Sequence, residues 1–322
     1  MGLALIVHGG AGAMARERYD AARDGCRAAA EAGWHILRHG GYAVDAVRVA
    51  IMALEDNPGF NAGTGAVLTT DGHAQLDAGI MDGTTLDAGA IAGVERVKNP
   101  IALARLVLAS PHVLLMGAGA EQFASESGIP LCDPAELVTP TQLERWRRGY
   151  QMGDDVNVGP LTSFSAAHDF AHSATNGIHA AAGADAEKHG TVGAVAVDAE
   201  GRVAAGASTG GIAAKHPGRV GDTPLVGAGF YAETNLGGVS STGHGEDFIR
   251  LLLARRALDY LAAGMSAQAA ASAAIRLLGD RLGGSGGLIL LDGVGRVGYA
   301  RNTPAMAHAF ILEGMDTPFA GV

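Results

Sequence analysis

His189-Gly190-Thr191-Val192-Gly193-Ala194-Val195-Ala196-Val197-Asp198 is the stretch on which the reading of this chain turns. Thr191 begins a strand-like run of small apolar residues, the pattern of a buried strand. Gly190, just before it, tolerates the strained backbone that self-cleavage needs. A threonine inside a chain is a poor nucleophile because no base stands beside its hydroxyl. Cut the peptide bond before it and the same residue gains an α-amine, whose reference pKa of about 7.7–8.0 suits a base at neutral pH. One residue then supplies nucleophile and base together. An ordinary Gly-Thr at the head of a buried strand is the competing reading, so the decision rests on the residues downstream.

Those residues fit an amide hydrolase acting on a small zwitterion, which needs a cation for a carboxylate, an anion for an amine and a site for an oxyanion. Gly218-Arg219-Val220-Gly221-Asp222 is a glycine-bounded loop that offers the first two, and a guanidinium can pair a carboxylate bidentately. Thr242-Gly243 offers a hydroxyl and an open backbone N–H for the developing negative charge. Thr209, in Ser208-Thr209-Gly210-Gly211, is a second hydroxyl able to orient the first. Taken singly, each has a turn or loop reading, and Arg219 with Asp222 also reads as a surface salt bridge worth little.

Other chemistries fit less well. Gly206-Ala207-Ser208-Thr209-Gly210 and Gly283-Gly284-Ser285-Gly286-Gly287 both match the G-x-S-x-G nucleophile elbow, which requires strand, turn and then helix. After Ser208 come Lys215, Pro217 and Gly218, too broken for a helix, and after Ser285 comes a strand pattern. His168 and His172 stand four apart as in zinc-hydrolase helices, but aspartate takes the place of the usual glutamate in a weakly patterned segment. No P-loop or dinucleotide fingerprint occurs.

Composition agrees with a globular protein. The 322 residues are 48% hydrophobic and 17% charged, with 33 acids against 23 bases, so no nucleic-acid surface is indicated. No stretch approaches the ~20 apolar residues of a membrane span, and the first residues lack the basic flank of a signal peptide. Cys26 and Cys132 give neither a disulfide framework nor metal spacing, which suits the cytoplasm. The 49 glycines follow no period and suggest close backbone approach.

Periodicity predicts strands at 3–7, 66–70, 74–77, 87–94 and 112–116, and helices at 17–39, 45–55, 101–108 and 120–126. From about 140 to 189, where His168, His172, His179 and His189 lie, periodicity decays and the segment reads as a mobile connection. Strands are expected again at 192–197, 202–208, 226–228 and 239–242. Helices at 246–262 and 266–282 precede a final hairpin, 288–291 with 296–300. Helical pairs between groups of strands, without strict alternation, favour an α+β protein of mostly antiparallel sheets covered by helices.

With these residues in view, the chain resembles the plant-type asparaginase/isoaspartyl peptidase family of N-terminal nucleophile hydrolases. The blocks that carry the likeness are VHGGAG at 7–12, NPGFNAGTGAVLTTDG at 57–72, LDAGIMDG at 76–83, HGTVGAVAVD at 189–198, STGG at 208–211, GRVGDTPLVGAG at 218–229, STGHGE at 241–246 and GGSGGLI at 283–289. The resemblance implies a four-layer αββα sandwich and autoproteolysis between Gly190 and Thr191. It implies an α subunit of 1–190 and a β subunit of 191–322 forming one domain, and an (αβ)2 heterotetramer. It implies Thr191 as nucleophile, Thr209 beside it, Arg219 and Asp222 gripping the substrate's α-carboxylate and α-amine, Thr242 with Gly243 as oxyanion hole, and Gly245 lining the pocket. Implied substrates are small β-aspartyl peptides and asparagine, with no cofactor for catalysis. A structural sodium ion on the main-chain carbonyls of Leu54, Glu55, Asn57, Phe60, Ala62 and Thr64 is also implied, a hard cation on oxygen ligands. His244 departs from the threonine common in bacterial members and places a titratable ring beside the leaving-group pocket. A glycosylasparaginase-type amidase and an uncleaved, precursor-like binding protein stay open as alternatives.

Overall fold

The computed structural model describes residues 2–151 and 190–322. Strand β1 (Ala4–Gly12) leads into helices α1 (Tyr19–Arg38) and α2 (Ala43–Glu55). Strands β2 (Leu76–Asp82) and β3 (Ala88–Val94), helix α3 (Pro100–Leu108), strand β4 (Leu114–Met116) and helices α4 (Gly117–Glu126) and α5 (Pro140–Gln151) follow. After the gap come β5 (Val192–Val197), β6 (Val203–Thr209), β7 (Phe230–Glu233) and β8 (Gly237–Gly243). Helices α6 (Gly245–Leu251), α7 (Leu253–Ala262) and α8 (Ala267–Leu282) then precede β9 (Gly286–Asp292), β10 (Val297–Arg301), β11 (Ala305–Leu312) and β12 (Phe319–Gly321).

Two sheets form: one of eight strands in the order β12-β11-β1-β5-β6-β2-β3-β4, and one of four in the order β10-β9-β8-β7. Neighbours are antiparallel throughout except β3 and β4. Strands from before and after residue 190 are interleaved: β1 lies between β11 and β5, and β6 lies against β2.

Alternation along each strand decides which layer a side chain joins. In β1, Leu5 and Val7 face helices α1–α3, whereas Ala4 and Ile6 face the second sheet. In β9, Ile289 and Leu291 face the large sheet, while Leu288 and Leu290 pack under α7 and α8 with Leu258, Ile275 and Leu278. Both sheets are thus covered on one face by helices and on the other by each other. This yields an α+β protein, as the sequence suggests.

The close approach of the sheets depends on small residues. A Cβ at Gly193 would overlap Ser240 Oγ across the sheets and lie 2.5 Å from His8 Nε2. The same space at Gly79 is filled by the Phe230 ring.

Several sequence expectations are corrected. Residues 140–151, read as connection, form α5, with Pro140 at its first position where a missing N–H costs nothing. Gln142 Nε2 donates to Gly65 O at 2.9 Å, and Trp146 lies over Gly72. Residues 66–70 form only an isolated bridge, Thr69 to Lys215, and 226–228 only one from Val226 to Phe230. The helix expected over 246–262 breaks at Leu252, which adopts φ 50 and leaves α6 and α7 separate. β11 and β12 were not foreseen, and β2 begins later than expected. His168, His172, His179 and His189 lie outside the described residues.

Gly193→Ala is expected to lower unfolding stability by about 2 kcal/mol or more through overpacking. Gly119→Ala in α4, where a Cβ meets open space, is expected to leave stability unchanged or raise it by up to ~1 kcal/mol. Urea midpoints of the two variants check the contrast.

Candidate active site

Thr191 sits immediately before β5, whose neighbours in the large sheet are β1 and β6. The register pairs Val192 with Ser208, which sets Thr191 beside Thr209 at the end of β6. Both are buried, and the Thr191 hydroxyl donates to Thr209 Oγ1 at 3.3 Å. Thr209 Oγ1 also accepts the Gly211 N–H at 2.9 Å. Asn61 holds this turn in place: its Nδ2 donates to Gly211 O at 2.7 Å, and its backbone carbonyl accepts from Gly210 N at 3.0 Å.

The peptide before Thr191 is pressed against the end of β1. Gly10, at φ 105, would place a Cβ 2.7 Å from the Gly190 Cα, so only glycine fits there. Two residues earlier, His8 Nε2 is 2.9 Å from Ser240 Oγ, and burial takes the ring's pKa down to about 3, so it is neutral. Ala11 N donates to Thr242 Oγ1 at 3.2 Å. The His8–Gly12 segment therefore touches both the Thr191 neighbourhood and the end of β8. At that end Gly243 pairs with Gly286, and a Cβ on it would lie 2.6 Å from the Phe248 ring and from Ser285 O.

The charged residues arrive on the segment between β6 and β7. Lys215 anchors it: the ammonium is buried and donates to Gln75 O at 2.7 Å, while Gln75 Oε1 accepts from Gly218 N at 2.8 Å. The buried Asp77 carboxyl lies in the same region; burial pushes its pKa up and the Lys215 charge opposes the rise. Arg219 does not pair with Asp222, contrary to the salt-bridge reading. Its Nε and Nη2 donate to Glu246 Oε1 and Oε2 at 2.9 and 2.8 Å. Burial raises the Glu246 carboxyl, but the Arg219 hydrogen bonds and charge outweigh it and hold the pKa down to about 2. Arg219 Nη1 points along Gly221, where a Cβ would be 2.9 Å from it.

Asp222 is buried beside Gly245, where a Cβ would lie 2.9 Å from its Oδ1. Burial pushes its carboxyl up to about 7, against its own backbone N–H, the Arg219 charge and the Ser241 hydroxyl, which donates to Oδ2 at 3.4 Å. A buried carboxyl with no cation against it among the described residues is suited to receive one. His244 stands at the N-cap position of α6 without a side-chain cap bond and turns its ring toward Glu246 and Asp247.

The fold thus collects Thr191 with Thr209, and Arg219 and Asp222 with the 242–246 turn. Glu246, Asn61, Lys215 and Gln75 escaped the sequence reading; Glu246 and Asn61 lie inside the quoted blocks at 241–246 and 57–72, the one available signal. Leu54 and Glu55 end α2, and Asn57, Phe60, Ala62 and Thr64 line the turn that follows. The Glu55 side chain accepts from Ser208 Oγ at 2.6 Å and Ile101 N at 3.0 Å, tying this turn to β6 next to Thr209. Among the described residues no cluster of three His, Cys, Asp or Glu is placed for a metal ion. No described helix is long and apolar enough to cross a membrane.

Comparison with known proteins agrees along the whole chain. A family model described as Asparaginase matches residues 1–317. The plant-type L-asparaginase of Pyrococcus horikoshii is 44% identical over 323 residues, covering 99% of this chain and 100% of that protein. The isoaspartyl peptidase/L-asparaginase of Bos taurus is 40% identical, with 96% of this chain and 93% of that protein covered. The protein of the same description from Mus musculus is 43% identical, with 97% and 89% covered.

Between the unperturbed 3.8 and about 7, the folded chain keeps a proton on Asp222 that the unfolded chain has lost. This carboxyl's contribution to stability is therefore full below that window and declines as pH rises through it. Stability is expected to fall between pH 5 and pH 7 by about 1–2 kcal/mol more in the wild type than in Asp222→Asn. Urea denaturation at the two pH values checks this.

Proposed function

The chain belongs to the asparaginase family, and from that premise we propose that it is a self-cleaving N-terminal threonine hydrolase that splits β-aspartyl amide bonds. Its substrates in this reading are L-asparagine and small isoaspartyl peptides, in keeping with the descriptions of its relatives. The observation that carries the reading is the buried Thr191–Thr209 hydroxyl contact with Gly190 wedged against Gly10.

Hydrolysis of the Gly190–Thr191 peptide bond, with water ending on Gly190 as its carboxylate, frees the α-amine of Thr191. That amine takes the Thr191 hydroxyl proton as Oγ1 attacks the side-chain carbonyl carbon of the substrate. Negative charge then develops on the carbonyl oxygen. Thr242 Oγ1 already accepts from Ala11 N, so its own hydrogen is available to that oxyanion, together with the Gly243 N–H. Asp222 takes the substrate's α-ammonium. Arg219 takes the α-carboxylate with its Nη1 end, because Glu246 occupies the Nε–Nη2 edge. The threonine ammonium returns its proton to the departing nitrogen, the C–N bond breaks, and a β-aspartyl ester remains on Oγ1. Water, deprotonated by the same amine, cleaves the ester and releases aspartate.

The packed sheets with outer helices are read here as the four-layer αββα sandwich of N-terminal nucleophile hydrolases. The interleaved strand order supports subunits 1–190 and 191–322 that stay together, since separating them would break β1 from β11 and β5, and β6 from β2. Pairing of two such units into an (αβ)2 assembly belongs to the same reading. The turn after α2 fits a sodium ion in one respect: Cβ atoms at Gly63 and Gly65 would collide with the carbonyls of Glu55 and Phe60, so glycines let those oxygens converge. Carbonyls of Leu54, Glu55, Asn57, Phe60, Ala62 and Thr64 would hold the ion, and its charge would stiffen the turn behind Ser208.

Purified wild-type protein is expected to run as two fragments under denaturing conditions, the smaller beginning Thr-Val-Gly on Edman sequencing. Thr191→Ala is expected to stay a single chain and to release no aspartate from L-asparagine or β-Asp-Leu. Cleavage or turnover in that variant overturns the assignment.

A further inference from the structure

His244 follows the proposed oxyanion glycine directly in sequence, which suggests an effect on the leaving group. Its ring contacts lead elsewhere. Nε2 is 3.2 Å from Glu246 Oε2, the same oxygen that accepts Arg219 Nη2 at 2.8 Å. Nδ1 is 3.1 Å from Asp247 Oδ2. Asp247 is itself largely covered, and a Cβ on Gly284 would sit 2.9 Å from the same Oδ2. A continuous series of side chains thus runs from Asp247 through His244 and Glu246 to Arg219.

Each link restricts the next. The two parallel bonds that Arg219 donates to Glu246 fix the plane of its guanidinium, and with it the direction of Nη1. Among the described residues no partner bonds to that remaining edge, which leaves it for a ligand. Glu246 is half exposed and on its own would be free to swing; the ring of His244, held from behind by Asp247, restrains the oxygen that Arg219 uses. A threonine at 244 carries its hydroxyl one bond beyond Cβ and cannot span two carboxylates.

We propose that His244 and Glu246 are positioning residues for the α-carboxylate grip, aiming the free edge of Arg219 at the substrate, and that His244 acts on that carboxylate and not on the leaving group. This rests on the proposed function, and the test separates the two.

L-aspartate and β-alanine differ only in the α-carboxylate, and so do L-asparagine and β-alaninamide. Calorimetric Kd values for the first pair and kcat/KM for the second are measured on mature wild type, His244→Thr, His244→Gln and Glu246→Ala. The aspartate-to-β-alanine preference is expected to drop about 3- to 10-fold in His244→Thr, the scale of one partly exposed ion pair. The drop should be larger in Glu246→Ala and smaller in His244→Gln, whose amide still donates toward Glu246. The asparagine-to-β-alaninamide ratio should follow, carried mainly by KM, while the ratio of β-Asp-Leu to asparagine holds. Completed self-cleavage and an unaltered melting temperature show that each variant is folded; if His244→Thr fails this check, His244→Gln and Glu246→Ala carry the decision. An unchanged aspartate preference, or a change confined to β-Asp-Leu against asparagine, overturns the proposal. A wild type that neither binds aspartate nor hydrolyses asparagine overturns the underlying function as well.

Discussion

The whole arrangement depends on where position 191 is held: at the mouth of a strand hydrogen-bonded on both sides and covered on both faces. β5 has β1 on one side and β6 on the other, with the helices above and the second sheet below. A residue at its head has almost no freedom. The Thr191 hydroxyl meets Thr209 because the β5–β6 register leaves no other place for it, and the preceding peptide lies on Gly10 because β1 ends there. Backbone pairing, more than side-chain chemistry, sets the geometry, which is why so many nearby positions are glycine.

Charge is arranged differently. Asp222, Asp77 and Lys215 are all buried, and burial of ionised groups is costly unless they are paired. Lys215 and Asp77 oppose one another's desolvation at the base of the segment carrying Arg219 and Asp222. Asp222 has hydrogen bonds but no cation in direct contact among the described residues, and its carboxyl is pushed up to about 7. The site thus has a charge deficit that an incoming ammonium corrects. Arg219, by contrast, is satisfied on one edge by Glu246 and open on the other.

Much of this was legible in the chain. The β5–β6 hairpin announces itself through unbroken apolar runs around Asp198-Ala199-Glu200-Gly201, and Thr191, Thr209, Arg219 and Asp222 stand in glycine-framed blocks. What escaped did so for physical reasons. Leu252 breaks a helix with a left-handed backbone that leucine rarely adopts, so nothing in an amphipathic pattern marks it. β11 reads Ala-Met-Ala-His-Ala-Phe-Ile-Leu, whose alanines suit a helix as well as a strand. The carboxylate on Arg219 lies 27 residues away along the chain, and only the fold shows that Glu246 reaches it before Asp222 does. α5 had a signal in Pro140, but the charges that follow obscured it.

The interleaving of the large sheet also ties the two stretches of chain together. Neither stretch, 2–151 nor 190–322, holds its strands of the large sheet as one unbroken block: β1 is separated from β2 by β5 and β6, and these in turn are separated from β11 by β1. The four-stranded sheet and its helices belong wholly to 190–322, but the large sheet is complete only when both stretches contribute strands. A nick between the two stretches after folding would leave every strand pairing of that sheet in place, as a rivet is trimmed only after it has been set.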